Sequence, residues 1–145
     1  MHPYPHLYTV HARADSTGDV DIDAERLPTL KTAPPVEFDG PGDRWSPETL
    51  LCAAVADCFV LSFRAIARAS KLEWQSVEAR VEGRLDRVEN KSRFTEMVVH
   101  ATLRVPAGTD VERAAKLMEK AEQACLISNS LLAQRRLEPT VVVAG

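Results

Sequence analysis

The tightest constraint on this chain is a long apolar run with a marked beginning. Ser46-Pro47-Glu48 places an N-cap residue, a proline at the first helical position and a carboxylate in the first turn, where free amides and the helix dipole favour negative charge. The residues that follow, Leu50-Leu51-Cys52-Ala53-Ala54-Val55-Ala56-Asp57-Cys58-Phe59-Val60-Leu61, are apolar on every side apart from Asp57. This predicts a helix from Pro47 to about Ala69 whose first half is surrounded by protein. The stretch from Leu50 to Phe63 is shorter than the roughly 20 residues of a bilayer span and contains a carboxylate, so it reads as core rather than membrane. A chain of 145 residues has little with which to cover such a helix on all sides, and a second copy is a common cover, so a homodimer is expected.

The flanking segments alternate as strands do. His6 to Ala12 and Asp19-Val20-Asp21-Ile22-Asp23, joined by Ala14-Asp15-Ser16-Thr17-Gly18, predict a hairpin. Pro35 to Phe38 reads as a short strand before the turn Asp39-Gly40-Pro41-Gly42-Asp43. After the helix, Trp74 to Arg87 and Phe94 to Val105 form a second, longer hairpin around Glu89-Asn90-Lys91-Ser92. Thr109 to Glu112 has capping-box spacing, and Val111, Ala114, Met118, Ala121 and Cys125 recur at helical intervals behind it. A short helix from about Ser128 to Gln134 and a strand at Thr140-Val141-Val142-Val143 complete a single domain spanning 1–145.

Composition narrows the function. A net charge of -3 provides no basic excess for nucleic acid. The start, Met1-His2-Pro3-Tyr4-Pro5-His6, lacks the basic and apolar segments of a secretory signal, which predicts a cytoplasmic protein. Three cysteines in a reducing compartment are free thiols unless they are used. No Cys-x-x-Cys pair occurs and the four histidines do not cluster with the cysteines by spacing, which speaks against a metal site, and Ser46 and Ser128 lack the strand-turn-helix setting of a nucleophile elbow. Cys58 and Cys125 lie on separate helical segments that can meet, which suggests reversible dithiol chemistry. Cys52, six residues before Cys58, faces another side of the helix and reads as core.

Element order and two motifs extend this reading. Ser46-Pro47-Glu48-Thr49-Leu50-Leu51 precedes Cys58-Phe59, and Cys125-Leu126-Ile127-Ser128-Asn129-Ser130-Leu131 follows an amphipathic helix. The chain thereby resembles, over nearly its whole length, the OsmC/Ohr family of thiol peroxidases, with its Pro-Glu-x-Leu and Cys-Phe pattern and its second Cys-x-hydrophobic-Ser segment. The resemblance implies an α+β, OsmC-like fold, with antiparallel sheets wrapped around long central helices in an intertwined homodimer. It also implies that Cys58 attacks an organic hydroperoxide and becomes a sulfenic acid, that Cys125 condenses with it to a disulfide, and that an external dithiol, a lipoyl-type one by family pattern, restores both thiols without a dissociable cofactor.

An ordinary thiol is largely protonated at neutral pH, so such a site calls for a cation or hydrogen-bond donors. In the family an arginine, held by the Pro-Glu carboxylate, fills this role. Here Arg13 is the first candidate and Arg44 the second, while Glu37 occupies the other position at which the family carries arginine. Glu48 precedes Cys58 by ten residues, roughly 15 Å along a straight helix, so its expected route to a thiol is from the other subunit. A simple first-turn helix charge explains Glu48 equally well. Asp57 is expected to lie at a solvent channel, to be protonated, or to pair across the dimer, the pair with Arg64 or Arg68 being the favoured case. The departure at Glu37 keeps a second reading open, an OsmC-like dimer that binds an apolar ligand or senses oxidants with little peroxidase activity.

Overall fold

A computed structural model describes all residues, Met1–Gly145. The chain divides into two compact units, Met1–Leu50 and Leu51–Gly145. In the first, β1 (His11–Arg13), β2 (Val20–Asp23) and β3 (Leu30–Thr32) form an antiparallel sheet in the order β1-β2-β3. The expected first hairpin is present but starts later, at His11, and acquires a third strand that sequence alternation did not reveal. Asp21 in the middle strand receives Lys31 at 3.0 Å and Arg13 at 3.9 Å from its two neighbours.

The strand expected at Pro35 to Phe38 is a 3-10 turn, Val36–Phe38. Pro34 and Pro35 offer no amides to a sheet, and the Pro35 carbonyl instead accepts from the amides of Phe38 and Gly40, both at 2.9 Å. A β-carbon at Gly40 would lie 1.7 Å from the Pro34 carbonyl oxygen, so only glycine closes this turn.

Helix α1 (Pro47–Ala69) begins where expected. The Ser46 hydroxyl accepts from the Thr49 amide at 3.1 Å while the Thr49 hydroxyl accepts from the Ser46 amide at 2.9 Å, a reciprocal cap in which threonine stands at the position usually filled by glutamate. By length and composition alone α1 is apolar enough to cross a membrane. One of its faces is instead spent on a core: Val55, Phe59, Phe63 and Ala67, four residues apart, are buried among the residues of the second unit.

In that unit β4 (Ser76–Val88) and β5 (Lys91–Val105) form the long hairpin. Its loop is only Glu89-Asn90, with φ of 51° and 65°, the left-handed pair that a two-residue turn of matching twist requires. Helix α2 (Val111–Ala124), helix α3 (Leu126–Asn129) and β6 (Gln134–Val143) follow. β6 lies beside β5 and parallel to it, so this sheet, ordered β4-β5-β6, is mixed, and the two helices form the crossover that parallel neighbours demand. The last strand starts at Gln134 rather than Thr140, and α3 sits earlier than the Ser128–Gln134 expected. Arg135, Arg136, Glu138 and Pro139 disguised β6, which tolerates them because it is an edge strand.

The α2 cap also differs from expectation. Asp110 caps the helix by accepting from the Arg113 amide at 3.2 Å, while the Thr109 hydroxyl donates to the Pro106 carbonyl. Ala114, Leu117, Met118 and Ala121 of α2 join Met97, Val99, Ala101, Leu103 and Val105 of β5 and the α1 stripe in one core. Phe63 meets Trp74 edge-on, with ring centroids 5.4 Å apart.

Candidate functional site

Cys58 precedes the buried Phe59 on α1 and is half-buried at the side of the core stripe. It borders an open groove of about 470 Å³ lined by Ala54, Asp57, Leu61, Ser62, Ala65, Leu126 and Ile127. The lining is almost wholly apolar, with Asp57 as its one carboxylate. One turn further along α1, the Ser62 hydroxyl lies 3.9 Å from the Cys58 sulfur.

Cys125 occupies the break between α2 and α3. Its extended backbone (φ -64°, ψ 103°) ends the first helix and caps the second, so the thiol turns inward and is 1% exposed. Its sulfur lies 4.0 Å from the Val55 carbonyl, one turn before Cys58. The break also turns the first amides of α3 toward Cys58.

These neighbours separate the two acidities. Burial pushes the Cys58 thiol up, but the Ile127 amide, the Cys125 thiol, the Ser62 hydroxyl and the Leu126 amide outweigh it, leaving its pKa below the ordinary thiol value. Burial raises the Cys125 pKa, Ser128 opposes that, and the neighbouring Cys58 raises it further. The influence of each thiol on the other is of opposite sign, so Cys58 is the readier to ionise and Cys125 the one that keeps its proton. Cys52, packed on Gly83, is simply raised by burial. All three cysteines are free.

The structure thus brings together Cys58 and Cys125, the two cysteines singled out from sequence. The groups that lower Cys58 are backbone amides, a thiol and a hydroxyl within its own unit. Ser62 had a legible signal, four residues after Cys58 on one helix face, whereas the Leu126 and Ile127 amides depend on a helix break that no pattern marked. Asp57 is exposed at the rim of the groove, and within one chain neither Arg64 nor Arg68 pairs with it. Those arginines follow it by seven and eleven residues, roughly 10 and 16 Å along the axis.

Glu48 and Arg13 belong to the first unit. Glu48 lines an apolar cavity of about 390 Å³ with Ala12, Ile22, Phe38 and their neighbours, and its Oε1 is buried with no hydrogen-bond partner. Ala12 faces that cavity, so the adjacent Arg13 points to the opposite side of the sheet, where its nearest carboxylate is Asp21. Arg44 is engaged by Asp19 at 3.1 Å and Asp43 at 3.8 Å.

The site is thus an α+β scaffold with two free, neighbouring thiols, the more acidic one on the core helix beside an apolar groove. The chain belongs to the OsmC family: the family model described as OsmC-like protein matches residues 40–139. It is 32% identical over 118 residues to the uncharacterized protein YmaD of Bacillus subtilis, with 77% of each chain covered. It is 31% identical over 128 residues to an organic hydroperoxide resistance protein of Xanthomonas axonopodis, covering 86% of this chain and 87% of that one. The crystal structure of an organic hydroperoxide resistance protein OsmC from Legionella pneumophila superposes with a TM-score of 0.76 at 26% identity, covering 97% of this chain and 99% of that one.

Proposed function

We propose that the protein is a thiol-dependent peroxidase that reduces organic hydroperoxides. The observation that supports this best is the pairing of a Cys58 thiol of lowered pKa, open to an apolar groove, with a buried Cys125 that holds its proton. The Cys58 thiolate attacks the distal oxygen of the hydroperoxide. The O–O bond breaks, an S–O bond forms, and the departing alkoxide takes a proton to leave as alcohol, with Cys58 as sulfenic acid. Cys125 then loses its proton, attacks the Cys58 sulfur and expels water, which closes the disulfide. An external dithiol reduces that disulfide by exchange, regenerating two thiols and becoming a disulfide itself.

The groove suits alkyl or aryl hydroperoxides better than hydrogen peroxide, because apolar surface contributes to binding only when the substrate has some to bury. The working form is a homodimer in which Glu48 of one subunit approaches the thiols of the other. The buried, unpartnered Glu48 oxygen supports a partner arriving from outside the chain.

The test is stopped-flow oxidation of the reduced protein by cumene hydroperoxide and by hydrogen peroxide, followed by peptide mass spectrometry. The expected result is faster reaction with cumene hydroperoxide, a Cys58–Cys125 disulfide, and loss of both in Cys58→Ser. Slow, unselective oxidation without that disulfide overturns the proposal in favour of an apolar-ligand-binding or oxidant-sensing protein.

A further inference from the structure

The geometry points to Arg135 as a positioning residue that holds the Cys125 turn in register with Cys58. Arg135 is the second residue of β6 and lies opposite Met97 of β5, yet its side chain reaches back to the crossover. Its Nε donates to the Glu122 carboxylate at 3.1 Å, one terminal nitrogen donates to the Glu122 carbonyl, and the other donates to the Asn129 side-chain oxygen. These partners bracket Cys125. The Glu122 carbonyl also accepts from the Cys125 amide at 3.2 Å, and the Asn129 amide donates to the Cys125 carbonyl at 2.9 Å. Each backbone polar group of Cys125 is therefore bonded to a residue that Arg135 itself holds.

Physical chemistry favours a guanidinium here. The last turn of α2 contains no basic residue, although the exposed carbonyls of a helix C-terminus attract a cation. Arg135 supplies it from another element. Its planar fork can serve a carboxylate, a carbonyl and an amide oxygen at once, which an ammonium of similar length cannot do in the same geometry. The Arg135 and Glu122 side chains are 27% and 12% exposed, so solvent competes little for the pair. Arg135 thereby ties Glu122 at the end of α2 to Asn129 of α3 across the break. The break is what aims the Leu126 and Ile127 amides at Cys58 and sets Cys125 beside it, so a shift there moves both partners of the nucleophile together. The ionisable groups facing Cys58 are Asp57 on its own helix and Cys125, and α3 contributes none.

This inference deepens the peroxidase reading and rests on it for its kinetic arm alone. The experiment compares wild type with Arg135→Gln, Arg135→Lys and Asn129→Ala in two measurements. The first is the pH profile of Cys58 alkylation by iodoacetamide, resolved by peptide mass spectrometry. The second is the competition between disulfide closure and dimedone trapping after one equivalent of cumene hydroperoxide. In Arg135→Gln the alkylation midpoint is expected to rise, and disulfide closure to slow by about tenfold with dimedone adduct on Cys58, as for a reacting group misplaced by a fraction of an ångström. Arg135→Lys and Asn129→Ala, each keeping part of the clamp, should fall between. A lowered melting temperature with unchanged alkylation profile and closure rate in all three overturns the inference and leaves Arg135 a fold-stabilising residue. If wild type does not react with hydroperoxide the peroxidase reading fails, while the alkylation profiles still decide the role of Arg135.

Discussion

The acidity of Cys58 is set by groups of opposite effect within a few ångströms, and each has its own signature. Its thiol is lowered by the Ile127 amide, Cys125, Ser62 and Leu126 against the effect of burial. Alkylation and peroxide reduction should therefore rise with pH to a plateau reached below the range of an ordinary thiol. Ser62→Ala should move that plateau to higher pH without changing the fold, as a pH series of alkylation rates will show. The same shift gives Cys58 a stabilising contribution that is present above the ordinary thiol range and lost as pH falls through its lowered value; Cys125, raised, contributes below that range and loses the effect as pH climbs through its own. Asp57, exposed beside Cys58, is the one carboxylate of the groove that a substrate must pass. Asp57→Asn should improve turnover of a fatty-acid hydroperoxide relative to neutral cumene hydroperoxide, measured as a ratio of kcat/KM values.

At the scale of elements, α1 is held against the long hairpin by a close approach. A β-carbon at Gly83 of β4 would lie 2.7 Å from the Cys52 sulfur and 2.9 Å from the Phe94 ring. Gly83→Ala should cost about 1–3 kcal/mol, and Cys52→Ala in the same chain should recover part of it, a coupling that urea denaturation of the single and double variants measures. Much of this level was legible in advance. The start of α1, the second hairpin and the apolar face of α2 follow from capping chemistry and periodicity, because in each the local preference and the buried face agree. β6 was read as four residues instead of ten because an edge strand need not hide its charges or avoid proline, and the Pro35 segment misled because its alternation lacks the amides a strand requires. Of the site, the two cysteines were visible as residues of unusual placement. The amides and the arginine clamp around them were not, since they arise from a helix break and from a strand that returns after it.

For the whole molecule, the open side of α1 is the feature that calls for an explanation. Leu61 is 52% exposed and the groove beside Cys58 continues the apolar surface around it, although the opposite stripe is fully buried. Covering that side with a second copy is the arrangement we propose. Leu61→Glu should shift the protein toward monomer in analytical ultracentrifugation and, if Glu48 of the partner completes the site, reduce peroxide turnover in parallel. Retained turnover in a monomer would show that one chain suffices.

The adjacency of Cys58 and Cys125 has one more consequence. They are 67 positions apart in sequence and interact in the reduced protein, so a bond between them would knot most of the second unit into a covalent ring. Restricting an unfolded loop of that size is worth roughly 4 kcal/mol in the chain-entropy picture. Each encounter with peroxide would then harden the protein against heat, and each reduction would soften it again. The melting temperature becomes a gauge of how much of the population is spent, readable in a calorimeter without any chromogenic substrate.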